Sequence, residues 1–175
     1  MFPQQPDPNG VILLHAAAIE TQGGAAIFLG PSGIGKSTLC AHVENYTSIL
    51  ADDKIYLIPR NGHWVVADAT TQSFLDPLRS RKVAGLCGLP LCAIFRLYQA
   101  TVSSIEPLQP QETCRYLTHS FFEIFWHKDW SIEAKAAMFS ALARVALAIP
   151  GYRFRTTLSQ DLSKLLDRFV SFSQK

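Results

Sequence analysis

No run of this chain is apolar for long enough to cross a bilayer. The most promising stretch, residues 11–19, is nine residues interrupted by His15, where ~20 are needed. The opening residues 1–10 are rich in Pro, Gln and Asp and carry no basic stretch, so no secretory signal is read there and a cytoplasmic address is expected, without a membrane partner. Cysteine is sparse: Cys40, Cys87, Cys92 and Cys114 form no CxxC pair, and reduced thiols are the default for such a set. A zinc site from Cys87, Cys92 and His63 or His119 is set aside, because buried free thiols are far commoner. One-sided charge is missing too. Sixteen Lys and Arg face 14 Asp and Glu for a formal net charge of +2, with the signs interspersed, and no basic run tracks a nucleic-acid backbone.

What the chain does have is apolar content, 48% of 175 residues. That supports one compact domain over residues 1–175, with 1–10 expected to be a flexible N-terminus. Residues 11–20 read as a buried strand, Gln22-Gly23-Gly24 as a turn, and 25–29 as a second strand. This second strand feeds the loop Gly30-Pro31-Ser32-Gly33-Ile34-Gly35-Lys36-Ser37, after which 36–46 lacks Pro and Gly and reads as a helix with Leu39, His42 and Val43 at helical spacing. Residues 48–57 read as a strand interrupted by Asp52-Asp53, and Asn61-Gly62 as a type I′ turn into a strand at 63–67. Residues 70–89 read as a long loop, 91–98 as a strand and 110–122 as a short helix turning Leu117, Phe121 and Phe122 inward. Ser131 is placed to cap a helix running to Ile149, with Ile132, Phe139, Leu142 and Ala146 on one face and Pro150-Gly151 as its stop. A last strand at 152–158 precedes a helix capped by Ser159, with Leu162, Leu165, Leu166 and Phe169 on one side.

Strand, GxxxxGK[ST] and helix in that order are the context of a phosphate-binding P-loop. Glycines let the backbone wrap a phosphate closely with N–H groups pointing inward, and the positive end of the following helix adds to the field. Gly30, Pro31, Ser32, Gly33, Ile34, Gly35, Lys36, Ser37 and Thr38 are therefore the nucleotide-binding candidates. Lys36, expected at a solvent-facing loop end, reaches toward the β- and γ-phosphates, and Ser37 offers its hydroxyl to Mg²⁺. ATP with Mg²⁺ is the expected ligand. Phosphoryl transfer also needs a carboxylate for the metal and a group to orient the acceptor hydroxyl. Asp52 and Asp53, at the end of the run Ser48-Ile49-Leu50-Ala51, can divide those tasks because neighbouring strand side chains diverge. A lone histidine such as His15 in an apolar strand is more often a core residue than a catalytic one.

Taken together, Leu14-His15-Ala16, residues 30–38 and Leu50-Ala51-Asp52-Asp53, with a short interval from loop to acids, resemble the catalytic domain of HPr kinase/phosphorylase and its short HPr kinase-like, or serine kinase-like, relatives. The closing stretch Ile149-Pro150-Gly151-Tyr152-Arg153-Phe154 extends the resemblance over most of the chain. It implies an α/β fold related to phosphoenolpyruvate carboxykinase, a mixed sheet flanked by helices around the P-loop. It also implies that His15 lies near the γ-phosphate, that Asp52 acts as general base, and that Asp53 joins Ser37 in holding Mg²⁺; which acid takes which part is left open. With Lys36, His15 and Asp52 make up the catalytic candidates. Nothing after Thr70 matches the family's dephosphorylation segment, so phosphorylase activity and HPr as substrate are not carried over. The acceptor is expected to be a hydroxyl of a protein, peptide or small molecule, with a homo-oligomer as a further expectation. Three functions compete: a protein or peptide serine kinase, a metabolite kinase, and an ATP-binding regulatory module without turnover. A cationic group at Arg79, Arg81 and Lys82 reads equally as a clamp on an acidic acceptor or a solvated basic loop.

Overall fold

In the computed structural model, the described residues are 10–69, 88–125 and 129–157. The expectations for residues 1–9, for the long loop with its Arg79, Arg81, Lys82 and Cys87, and for the helix after Ser159 lie outside them. The described chain runs β1 (Ile12–Thr21), β2 (Gly24–Leu29), α1 (Lys36–Val43), β3 (Ile49–Ala51), β4 (Lys54–Arg60), β5 (His63–Asp68), β6 (Leu89–Gln99), β7 (Ser104–Leu108), α2 (Pro110–Phe125), α3 (Ile132–Ala148) and β8 (Gly151–Thr156).

The sheet is mixed: β2, β6 and β8 run parallel, while the other pairings are antiparallel. Pairing of β2 with both β1 and β6 closes β2, β1, β4, β5 and β6 into a ring, from which β8 and β7 extend as a flap. Apolar side chains on both faces explain why β1 and β2 read as continuous hydrophobic runs rather than alternating ones. On β1, Ala16 and Ala18 feed one core while Ala17 and Ile19 feed the other. The first core packs Leu14, Ile27, Leu29 and Ile94 with Leu117 and Phe121 of α2 and Leu142 and Val145 of α3. The second packs Phe28, Phe95 and Phe154 with Leu39 and Val43 of α1. Helices thus cover opposite faces of the parallel strands.

Phe95 sits at the centre of the second core, fully buried, with its ring stacked 5.2 Å from both Phe28 and Tyr152. Truncation there leaves a cavity that rigid strand neighbours cannot fill. Phe95→Ala is expected to cost about 3–5 kcal/mol in urea unfolding; a loss under ~1 kcal/mol would contradict this packing.

Several local expectations meet the structure unchanged. Asn61 and Gly62 both take positive φ, 51° and 81°, as a type I′ turn requires. Ser131 caps α3 by accepting the Ala134 N–H at 3.2 Å. Others need correction. Helix α1 ends at Val43, where the N–H groups of Tyr46 and Thr47 turn back onto the Val43 carbonyl, and His42 is exposed. Helix α2 continues to Phe125, and β8 begins at Gly151 and ends at Thr156. The face of α3 differs most. Met138, Ala141, Leu142, Val145 and Ala146 are buried, whereas Ile132 is 80% and Phe139 42% exposed. The residues in contact follow the i, i+3, i+4, i+7 spacing from Met138; Ile132, in the first turn, stays in solvent. Strand β7 has no counterpart in the sequence reading. It carries Pro107 and, among the described residues, pairs only with β8, an edge position where a missing N–H costs no ladder bond.

Candidate functional site

The site is built at the carboxyl end of β2. Gly33 and Gly35 hold φ at +79° and +109°, conformations that a side chain would strain, and they turn the chain from strand into helix between Leu29 and Lys36. No acidic residue occupies the first turn of α1, so its positive end is uncompensated, and Ser37 and Thr38 are exposed there. Lys36 departs from expectation. Only 6% of it is exposed, and its Nζ donates to the carbonyls of Gly30 at 2.7 Å and Pro31 at 3.2 Å. The ammonium is folded across the mouth of its own loop.

Beside the loop, β3 and β4 behave as one strand laid along β1 and interrupted by the two aspartates. Ala18 faces Ala51 and His15 faces Lys54, so Asp52 and Asp53 fall opposite Ala17 and Ala16, and the Ala16 N–H donates to the Asp53 carbonyl at 3.0 Å. Their side chains part as strand geometry demands. Asp53 pairs with His15 Nε2 at 3.4 Å and Lys54 Nζ at 3.0 Å. Asp52 is exposed on the side of α1, where its charge adds to burial in pushing the Cys40 thiol up to about 11. Cys40 lies one turn beyond Ser37 on the same helix face.

Two functional candidates, Glu123 and Arg96, were missed by the linear reading. Glu123 of α2 accepts from His15 Nδ1 at 2.6 Å, and Ser120 of the same helix donates its hydroxyl to the His15 carbonyl at 2.8 Å. The imidazole is thereby held between two carboxylates. Arg96 of β6 stands opposite Leu29, the last residue before the loop. A single cation inside the apolar run 91–98 was a readable signal for it; Glu123, among Phe121, Phe122 and Ile124, gave none. Cys92 hydrogen-bonds Thr21 and the Ala25 carbonyl, and His63 lies on the β4–β5 hairpin.

Burial holds the Lys36 ammonium below its ordinary value of 10.5, against the opposing pull of Glu123 and Asp53 and with a push from Arg96. These four charged groups therefore share one electrostatic neighbourhood. Below the lowered folded value, both folded and unfolded chains keep the proton and the burial penalty is present in full. Between that value and 10.5 the unfolded chain binds more protons, so stability rises with pH. Lys36→Met, which keeps the stem and removes the charge, is expected to melt above wild type near pH 7, by a margin that narrows toward pH ~10. A margin that widens with pH would contradict the burial penalty.

Among the described residues, no three His, Cys, Asp or Glu side chains gather as a metal cage. A Mg²⁺ ion held by a hydroxyl, one carboxylate, phosphate oxygens and water needs none. The exposed Ser37 hydroxyl, the exposed Asp52 carboxylate and the glycine loop are a donor set that fits Mg·ATP. No described helix is long and apolar enough to cross a membrane.

Comparison with known proteins gives a family and a distant likeness. No curated protein matches the chain. Among solved structures, the Hpr(Ser) kinase/phosphatase from Coxiella burnetii is similar at 10% identity and a TM-score of 0.47, over 89% of this chain and 86% of that one. That likeness is too distant to inform activity or substrate. A family model described as SynChlorMet cassette protein ScmC matches residues 4–171, and the chain belongs to that family.

Proposed function

We propose that this member of the ScmC family is an ATP-dependent phosphotransferase with a P-loop fold related to phosphoenolpyruvate carboxykinase, acting on a hydroxyl, foremost a serine of a protein or peptide. The observation that carries the reading is the convergence on Lys36: a glycine loop and a helix start on one side, and the Asp53–His15–Glu123 chain within electrostatic reach on the other. A loop that only bound nucleotide would need no such chain.

Bound Mg·ATP supplies the transferable phosphoryl group and the charge neutralisation that the metal provides. Lys36, which donates to the Gly30 and Pro31 carbonyls in the free chain, would turn to the outer phosphates, and the backbone at Gly33 and Gly35 would wrap them. Ser37 and Asp52, both exposed, would hold the metal. Asp53 faces the acceptor, orients its hydroxyl and takes its proton as the O–P bond forms and the bond to the leaving diphosphate breaks, while His15, anchored through Glu123 and the Ser120 contact, holds Asp53 in place. This divides the acids the opposite way from the family resemblance, which gave the base role to Asp52. It is supported by the pairing of Asp53 with His15, whereas the charge of Asp52 is felt at Cys40 of α1, three residues along from Ser37.

Incubating the purified chain with γ-labelled ATP, Mg²⁺ and cell extract, then identifying the labelled species, tests the proposal. Label on a serine-containing acceptor supports it, and label on a small molecule makes the chain a metabolite kinase. Mg·ATP binding without any transfer would leave a regulatory module, and absence of Mg·ATP binding would overturn the reading altogether.

A further inference from the structure

Arg96 belongs to a second group of polar residues that nucleotide binding at the loop does not account for. Ile94, Arg96 and Tyr98 alternate onto one face of β6, the face covered by α2. The Arg96 guanidinium lies 5.4 Å from the centre of the Tyr98 ring and 5.1 Å from that of Tyr116, and its Nε is buried without a hydrogen-bond partner. The Tyr98 hydroxyl donates to the Tyr116 hydroxyl at 2.7 Å, and Arg115 Nη2 donates to the same oxygen at 3.1 Å.

Charge accounting separates this group from its neighbours. On β8, Arg153 pairs with Glu106 and Glu112, and Arg155 pairs with Glu106. Among the described residues, no carboxylate pairs with Arg96 or Arg115. The aromatic faces stabilise a guanidinium but do not neutralise it. Arg96 also adds to the positive field felt by Lys36. Burial alone would push the Tyr116 phenol up, yet hydrogen bonds from Tyr98 and Arg115, with Arg153 contributing, leave it below its ordinary value of 10. The donors here thus converge on one oxygen and favour its anionic form. Position agrees: Arg96 is registered against Leu29, the carboxyl-terminal residue of β2 from which the glycine loop departs, and against Arg153 of β8 on the other side, and ligands of α/β sheets bind outside the carboxyl ends of strands.

We infer that Arg96, Arg115, Tyr98 and Tyr116 form an oxyanion-binding subsite beside the glycine loop, which holds the carboxylate or phosphate of the hydroxyl compound to be phosphorylated. The identity of this occupant rests on the kinase reading; the subsite itself does not. Arg96 and Arg115 supply the charge, Arg115 from the exposed surface of α2 and Arg96 from within. The two phenols set the spacing and offer a hydroxyl donor.

The test uses inorganic phosphate as probe on the full chain, by calorimetric titration and by following phenolate absorbance with pH. Lys36→Met is expected to lose phosphate binding at the glycine loop and to keep a second phosphate site, and phosphate bound there moves the Tyr116 titration to higher pH in this variant and in wild type, a signal absent from Tyr116→Phe. Arg96→Gln with Arg115→Gln is expected to weaken phosphate binding about tenfold or more. Arg115→Gln alone, at an exposed position, gives a smaller loss without disturbing packing. Wild-type affinity in the double variant, loss of all phosphate binding in Lys36→Met, or no binding in wild type overturns the subsite. In the transfer assay, the double variant raises the acceptor KM about tenfold and leaves the Mg·ATP Kd within a few-fold. A raised Mg·ATP Kd with an unchanged acceptor KM would assign the arginines to the nucleotide and overturn the acceptor role. Failure of Mg·ATP to bind wild type would sink the kinase reading while the phosphate titration still decided the subsite.

Discussion

Lys36→Met is expected to bind Mg·ATP about 10- to 100-fold more weakly than wild type while its affinity for AMP changes by no more than a few-fold. The ammonium donates to the Gly30 and Pro31 carbonyls in the free protein, 2.7 and 3.2 Å away. On binding it trades those neutral acceptors for anionic phosphate oxygens, and a hydrogen bond between charged groups is worth ~1.5–3 kcal/mol. AMP lacks the outer phosphates, so the exchange gives it little. Methionine is the informative replacement because Lys36 is buried, and alanine would add a void to the lost charge. Calorimetric titration of both nucleotides on both proteins decides the matter. Equal losses for ATP and AMP would place Lys36 away from the outer phosphates.

The glycine loop was legible because its requirements are local. Positive φ at Gly33 and Gly35, a strand before and a helix after are written in consecutive residues. The interrupted strand was legible for the same reason: Asp52-Asp53 break an apolar run, and the structure places them between the pairs Ala18–Ala51 and His15–Lys54. Residues brought in from a distance were not. Glu123 reaches His15 only because α2 crosses β1, a packing that no periodicity of either segment encodes. The orientation of α3 failed similarly. Ile132, Phe139 and Ala146 form a plausible stripe, but the helix meets α2 and the sheet along Met138, Leu142 and Val145. Hydrophobicity says that a face is buried, and the neighbouring helix decides which one. The burial of Lys36 was missed because loop glycines conventionally suggest exposure, whereas this loop folds its own carbonyls over the side chain.

Asp53→Asn is expected to lower phosphoryl transfer by ~10²–10⁴ while leaving Mg·ATP affinity within a few-fold, and Asp52→Asn to weaken the Mg²⁺-dependent part of nucleotide binding. Both substitutions keep shape and remove a charge, so the contrast reads position. Asp53 is tied to His15 at 3.4 Å, and through it to Glu123 at 2.6 Å, an arrangement that fixes a carboxylate for one geometry. An interaction with the acceptor hydroxyl that strengthens as the proton leaves appears in the rate and not in ground-state affinity. Among the described residues Asp52 has no such tether, and its field falls on Cys40, one turn beyond Ser37. A metal ligand there acts in both ground and transition states, so its loss shows already in the Mg·ATP Kd. Glu123→Gln separates the chain further: it leaves Asp53 in place but loosens His15, and a smaller rate loss than for Asp53→Asn is expected. Titrations of ATP with and without Mg²⁺, run beside single-turnover transfer on each variant, distinguish the cases. If Asp52→Asn loses transfer with normal Mg·ATP affinity while Asp53→Asn loses affinity, the two acids exchange roles and Asp52 is the residue that orients the hydroxyl.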